Sequence, residues 1–217
     1  MKTKMLSVAA AAMLAVVFLS GCSNSLNTKT FVDTAEKYGM KKVGSYSEYI
    51  NEISNNDSDI HSAYFIMDNS QEADKWYRGQ FTIGSGPFPE IHVKECVLAS
   101  EIIYPETDGV SGSGYTEIYV ITAVDKQSAV ELYEAFAAYC QEDNAAQTDK
   151  CASGEKNGYS YSMRYMEGSE RQRLYGVYLK GETVIKIDTT CDINDKGGCA
   201  HFFCDKLGLV SPLTLKK

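Results

Sequence analysis

An α+β fold, with a mainly antiparallel sheet and helices packed on one face of it, is predicted by three observations. Amphipathic helical segments with start and stop signals alternate irregularly with short strand-like runs, unlike the regular βαβ units of a parallel sheet. The run 116–122 is rich in β-formers and leads into the longest helical period of the chain, 126–142. Residues 173–179 and 183–188 read as two strands closed by Lys180-Gly181-Glu182, a hairpin connection.

The first helix is expected from Thr30 as cap, with Phe31, Val32, Ala35 and Tyr38 at helical spacing and Gly39 as stop. A second opens on the capping box Ser45-x-x-Glu48 and carries Tyr46, Tyr49, Ile50 and Ile53 on one face. The polar run 55–59 ends it. A strand over 63–67 and a helix over 71–77 follow, then a loop at 84–87, a strand over 97–104 and a second loop at 109–114. Helix 126–142 takes Asp125 or Ser128 as cap and presents Ala129, Leu132, Tyr133, Phe136 and Cys140. The polar, aperiodic stretch 143–158 reads as a mobile loop. After the strand 159–166 and the hairpin, a helix over 197–206 carries Ala200, Phe203, Cys204 and Leu207, with Gly208 as stop. Two stretches look weakly alike: Tyr64-Phe65-Ile66-Met67 through Asp68 to Ala73 and Tyr77, and Tyr119-Val120-Ile121-Thr122 through Asp125 to Ala129 and Tyr133.

The amino-terminal stretch has a basic tip, Lys2 and Lys4, and an apolar run over 5–19 that falls short of the roughly 20 residues of a membrane span. It reads as a secretion signal over 1–21, and no later segment reads as a span. Leu19-Ser20-Gly21-Cys22 resembles the lipobox of bacterial lipoproteins. That resemblance implies cleavage before Cys22, a diacylglyceryl group of palmitate type on its sulfur, and anchorage to the outer face of the cytoplasmic membrane, or to the outer membrane in a diderm source. A short tether over 22–29 and a single globular domain over 30–217 would follow. The layout of helix, two strand-helix units, hairpin and terminal helix resembles small, uncharacterised surface lipoproteins of Clostridia-type bacteria, and this implies no particular activity.

Removal of 1–21 takes Lys2 and Lys4 from the 21 basic residues and leaves all 29 acidic ones, so the net charge moves from −8 to about −10. Such a balance disfavours the phosphate-neutralising chemistry of nucleic-acid binding and electrostatic adhesion to anionic lipid, and no nucleic-acid partner is expected. Attachment to the membrane then rests on the acyl chains.

Six cysteines remain: Cys96, Cys140, Cys151, Cys191, Cys199 and Cys204. An even number outside the cytoplasm points to disulfides, with Cys140–Cys151 and Cys191–Cys199 favoured and Cys96 and Cys204 left over. The alternative is that Cys140 and Cys204, on apolar helix faces, are buried thiols. A metal held by Cys191, Cys199, His201 and Cys204 is disfavoured because Cys199 and His201 point to nearly opposite sides of a helix. No metal, no cofactor and no catalytic residue is expected. Gly109-Val110-Ser111-Gly112-Ser113 lacks the order of a nucleophile elbow.

Tyrosine is the most suggestive residue. Tyr159, Tyr161, Met163 and Tyr165 alternate onto one face of a strand, and the hairpin adds Tyr175 and Tyr178. Core packing under the helices accounts for them most simply; a stacking platform for a glycan or peptide is the functional alternative. The expected role is therefore a membrane-anchored extracytoplasmic lipoprotein that binds a protein, peptide or cell-wall glycan without catalysis. A thiol-dependent envelope enzyme using Cys199 or Cys204, or an accessory subunit of a membrane complex, are the other readings.

Overall fold

The computed structural model describes residues 26–54, 60–82, 88–104, 114–140 and 149–216. The lipobox with Cys22, the polar run 55–59, the loop at 84–87 and the motif at 109–113 lie outside them. Among the described residues, no helix is long and apolar enough to cross a membrane.

Among the described residues five α-helices, α1 (Thr28–Tyr38), α2 (Tyr46–Ser54), α3 (Ser70–Tyr77), α4 (Lys126–Ala138) and α5 (Gly198–Leu207), surround one sheet. Its strands are β1 (Lys41–Lys42), β2 (Ile60–Met67), β3 (Val93–Ile103), β4 (Gly114–Ala123), β5 (Lys150–Lys156), β6 (Tyr159–Glu167), β7 (Arg171–Lys180) and β8 (Thr183–Asp192). They lie in the order β1-β2-β3-β4-β8-β7-β6-β5, antiparallel throughout except for the short parallel pair β1–β2. Two antiparallel meanders, β2-β3-β4 and β5-β6-β7-β8, thus meet at the β4–β8 seam. Helix α4 carries the chain from the centre of the sheet to its far edge. The α+β class with a mainly antiparallel sheet is what the molecule has.

Helices cover both faces, not one as expected. Ala63, Phe65, Met67, Cys96, Leu98 and Ile121 turn toward α2, α3 and α4, forming the first core. Tyr64, Val97, Ala99, Ile118, Val120, Ile185 and Ile187 turn the other way and form the second core with α1 and α5. The reason is visible in the central strands. Both parities of 118–121 and of 184–187 hold apolar residues, Lys186 apart, and a strand apolar on both sides must be covered on both. In the second core the ring of Phe31 from α1 stacks on Phe203 from α5, with centroids 4.8 Å apart. The two strand-helix units share this layout, with β2 and β4 each leading into a helix on the first face. Tyr64 and Tyr119 nonetheless belong to opposite faces, because a match displaced by one residue inverts a strand.

Strand 97–104 begins earlier, at Val93, helix 126–142 ends earlier, at Ala138, and three further differences bear on the architecture. The cap of α1 is Asn27, whose Oδ1 accepts the Thr30 amide at 2.9 Å, so the helix starts at Thr28 inside the expected tether. Leu26 just before it is buried in the second core. Most of the expected loop 143–158 that is described is instead β5, an exposed edge strand whose polar residues hide its pairing with β6. Its turn is Asn157-Gly158, with φ of 53° and 74° at the two residues, the left-handed pair a two-residue hairpin requires. The carboxyl terminus closes with a 3₁₀ turn, Pro212–Lys216, against β5, β6 and β7.

Phe203 is fully buried, so Phe203→Ala should cost about 3–5 kcal/mol in urea unfolding, the range for truncating a buried aromatic. An exposed substitution on β5, such as Glu155→Ala, should stay within about 0.5 kcal/mol in the same measurement.

Candidate functional site

Among the described residues, the helical layer over the first face has an opening. Helix α2 lies over β2 and β3, while α4 lies over β4, β8 and β7. Between them the open ends of β4, β8 and β7 are left as a floor, and the side chains there change character. Residues Tyr115, Glu117 and Tyr119 of β4 share this face with Lys186 and Asp188 of β8 and with Arg173 and Tyr175 of β7, as the register dictates.

Two adjoining cavities of about 190 Å³ each occupy the opening. The first lies under α2, with Tyr46, Tyr49, Ile50, Trp76, Tyr115 and Tyr119 among its walls. The second lies beside α4, with Phe81, Phe88, Phe136, Tyr139 and Tyr175. Of the five large apolar or aromatic side chains most exposed among the described residues, three are here: Tyr46 at 36 %, Ile50 at 38 % and Tyr115 at 38 %.

Charges alternate along the floor. Lys186 Nζ lies 2.8 Å from Glu117 Oε2 and 3.8 Å from Asp188 Oδ2, while Arg173 grips Asp188 with two bonds of 2.9 and 2.7 Å. Arg173 also donates to the Tyr139 hydroxyl at 2.9 Å, and Lys186 sits 4.7 Å from the centre of the Tyr119 ring. Glu117 and Asp188 are direct cross-strand partners. Like charges directly opposed destabilise a sheet, and the two cations offset that cost here. Arrangements of this kind, locally unfavourable and compensated, are where functional sites are found.

Burial, followed by the neighbouring Glu117 carboxylate, pushes the Tyr115 and Tyr119 hydroxyls up, and burial does the same for Tyr175. All three stay protonated at physiological pH and act as neutral donors. The Tyr115 hydroxyl donates a hydrogen bond to Glu117 at 2.8 Å, and that of Tyr175 donates to the Phe136 carbonyl at 3.1 Å. Trp76 forms edge-to-face contacts with Phe81 and Tyr119 and is 9 % exposed, yet its Nε1–H has no acceptor among the described residues. The arrangement brings flat rings, paired charges and hydroxyl donors into one concave place.

Of the tyrosines singled out in the sequence, Tyr175 alone lines the opening. Tyr159, Tyr161, Tyr165 and Tyr178 face the other side of the sheet. Tyr178 donates to the Val210 carbonyl at 2.6 Å, and Tyr159 bridges Gly208 and Val210, so these two clamp the carboxyl-terminal segment. Tyr165 is fully buried, bonded to Glu167 and Gln172, and Tyr161 is part-buried against Tyr159. The five therefore form no single ligand face.

All six described cysteines are free thiols. Cys96 belongs to the first core and Cys204 to the second, on opposite sides of the sheet, so that pairing is geometrically closed to them. Cys140 is buried in the first core and Cys191 and Cys199 are buried near α5, whereas Cys151 is exposed on β5; neither favoured bridge is formed. Burial pushes Cys140 up to about 11 and Cys204 up to about 12, and Cys96, Cys191 and Cys199 also upward. His201 is exposed on α5. Among the described residues no group of three His, Cys, Asp or Glu side chains is placed to hold a metal ion.

Glu101 is the one buried carboxylate beside Cys199. It accepts from the Tyr38 hydroxyl at 2.6 Å and from the Cys199 amide, and burial pushes its carboxyl up, with Asp195 adding to the effect.

Of the floor residues only Tyr175 is a site candidate in the sequence, although Tyr115-x-Glu117-x-Tyr119, Lys186-x-Asp188 and Arg173-x-Tyr175 carry a signal. In each segment charged and aromatic residues share one parity, and Ile118, Ile187 and Leu174 stand on the other. No protein-family model matches the chain, and no curated protein matches it.

In the native protein, iodoacetamide should modify Cys151 and spare Cys96, Cys140, Cys191, Cys199 and Cys204 until the chain is unfolded, as peptide mapping would show. Rapid labelling of Cys199 or Cys204 would contradict the packing. For Glu101, a raised carboxyl means that the folded state holds its proton more tightly than the unfolded chain. Stability from this group is present at acid pH and is lost as pH rises through its folded value. Urea midpoints of Glu101→Gln should therefore gain on those of the wild type between about pH 4 and pH 7.

Proposed function

We propose that the chain is a lipid-anchored extracytoplasmic binding protein that acts without catalysis, presenting the opening between α2 and α4 to a ligand in the cell envelope. One observation carries the reading: among the described residues, the face of the sheet that α2, α3 and α4 otherwise cover is left open where the floor turns from apolar to charged and aromatic. A face kept open only by poor packing would leave the charges on its floor unpaired. Here each floor charge has a partner of opposite sign.

Anchorage is supported by the lipobox and by the position of Leu26. Its burial fixes the folded domain four residues after Cys22, a reach of at most about 14 Å from the acyl chains. Two acyl chains on one cysteine hold a protein to a bilayer far more firmly than one.

Labelling cells with an alkyne fatty acid tests the anchor. The wild-type chain should carry the label and sediment with membranes, whereas Cys22→Ser should lose the label and retain residues 1–21. An unlabelled wild-type chain would contradict the anchorage.

A further inference from the structure

We propose that the two cavities are neighbouring subsites for an uncharged oligosaccharide, with one sugar unit in each. This rests on the binding reading above and gives it a ligand class. Size is the first argument. Each cavity, at about 190 Å³, lies below the roughly 300 Å³ at which pockets begin to hold a whole drug-sized ligand. Each therefore suits one small unit. They adjoin across the Lys186–Glu117 ion pair, Lys186 lining one and Glu117 the other, so a ligand filling both is a chain of units.

Charge is the second. Glu117, Lys186, Asp188 and Arg173 sum to zero and are already paired. A charged ligand would have to break one of these pairs. A hydroxyl both donates and accepts, so it can sit beside an ion pair, giving its proton to the carboxylate and accepting from the ammonium or guanidinium, with both bonds charge-assisted. Neighbouring hydroxyls of a sugar match that alternation, and the exposed rings of Tyr46 and Tyr115 offer faces for its C–H side. The unpartnered Trp76 N–H is a further donor in the wall of the first cavity.

An extended peptide fits less well. It binds chiefly by adding to a strand edge, and the floor consists of β4, β8 and β7, interior strands whose edges are paired on both sides.

The chain has one tryptophan, so emission reads Trp76 directly. The full lipidated chain in detergent is first screened on a glycan array. It is then titrated with neutral tetrasaccharides of the chito-, cello-, malto- and xylo- series, with tetragalacturonate, and with a blocked neutral tetrapeptide. At least one neutral tetrasaccharide should change Trp76 emission saturably and bind more tightly than its disaccharide. Tyr115→Ala and Glu117→Gln should each weaken it about tenfold, the loss expected for one contact to a charged or stacking group, while cooperative urea unfolding shows that both variants remain folded. Sugar binding indifferent to both substitutions would overturn the placement, and binding to no glycan would overturn the ligand class. Peptide binding that Tyr115→Ala abolishes would overturn the saccharide while leaving the opening as a binding site.

Discussion

The register between β4 and β8 is the constraint on which the rest of the molecule depends. This seam joins the two meanders, pairing Tyr115 with Thr190 through to Thr122 with Thr183. It sends Ile118, Val120, Ile185 and Ile187 to the core under α1 and α5, and it sends Glu117, Tyr119, Lys186 and Asp188 to the opposite face. A slip of one residue in β8 would carry Lys186 and Asp188 into the apolar core of the second face and expel Ile185 and Ile187 from it. Burying two unpaired charges there costs several kcal/mol, so the apolar core and the charged floor specify one another.

Both cores and the opening follow from that seam. Because the central strands are apolar on both parities near Ile121 and Val184, helices must cover both sides there. Toward Glu117 and Asp188 the parity facing α2 and α4 becomes polar, and the helical layer is no longer required. The opening is thus placed by the composition of the strands beneath it. Its walls come from Tyr46 and Ile50 on α2, from Phe81 in the π-helical turn that follows α3, and from Tyr139 just after α4.

Much of the fold was legible where a local rule acts alone. The cap at Ser45, whose Oγ accepts the Glu48 amide while the Glu48 carboxylate turns to the Gly44 amide, the hairpin turn at Gly181 and the stops at Gly39 and Gly208 are set by backbone geometry within a few residues. The cap Asn27 and the hairpin turn Asn157-Gly158 were equally local, but they were outweighed by Thr30 and by the polarity of the flanking residues. What local rules do not carry is the sheet order. That Tyr175 and Tyr178 face opposite cores follows from the odd spacing between them, yet which core each enters depends on pairing with strands far away in the chain. The site was hidden for the same reason. Glu117, Lys186 and Arg173 come from three strands, and only the register brings them into one row.

The coupling between Glu117 and Lys186 tests this most directly. A double-mutant cycle of Glu117→Gln and Lys186→Met, followed by urea unfolding, should give an interaction energy of about 1 kcal/mol, since the pair is largely shielded from solvent and built by the β4–β8 register. Effects that add to within about 0.3 kcal/mol would mean that the two side chains do not meet, and that the seam and the floor above it are not as described.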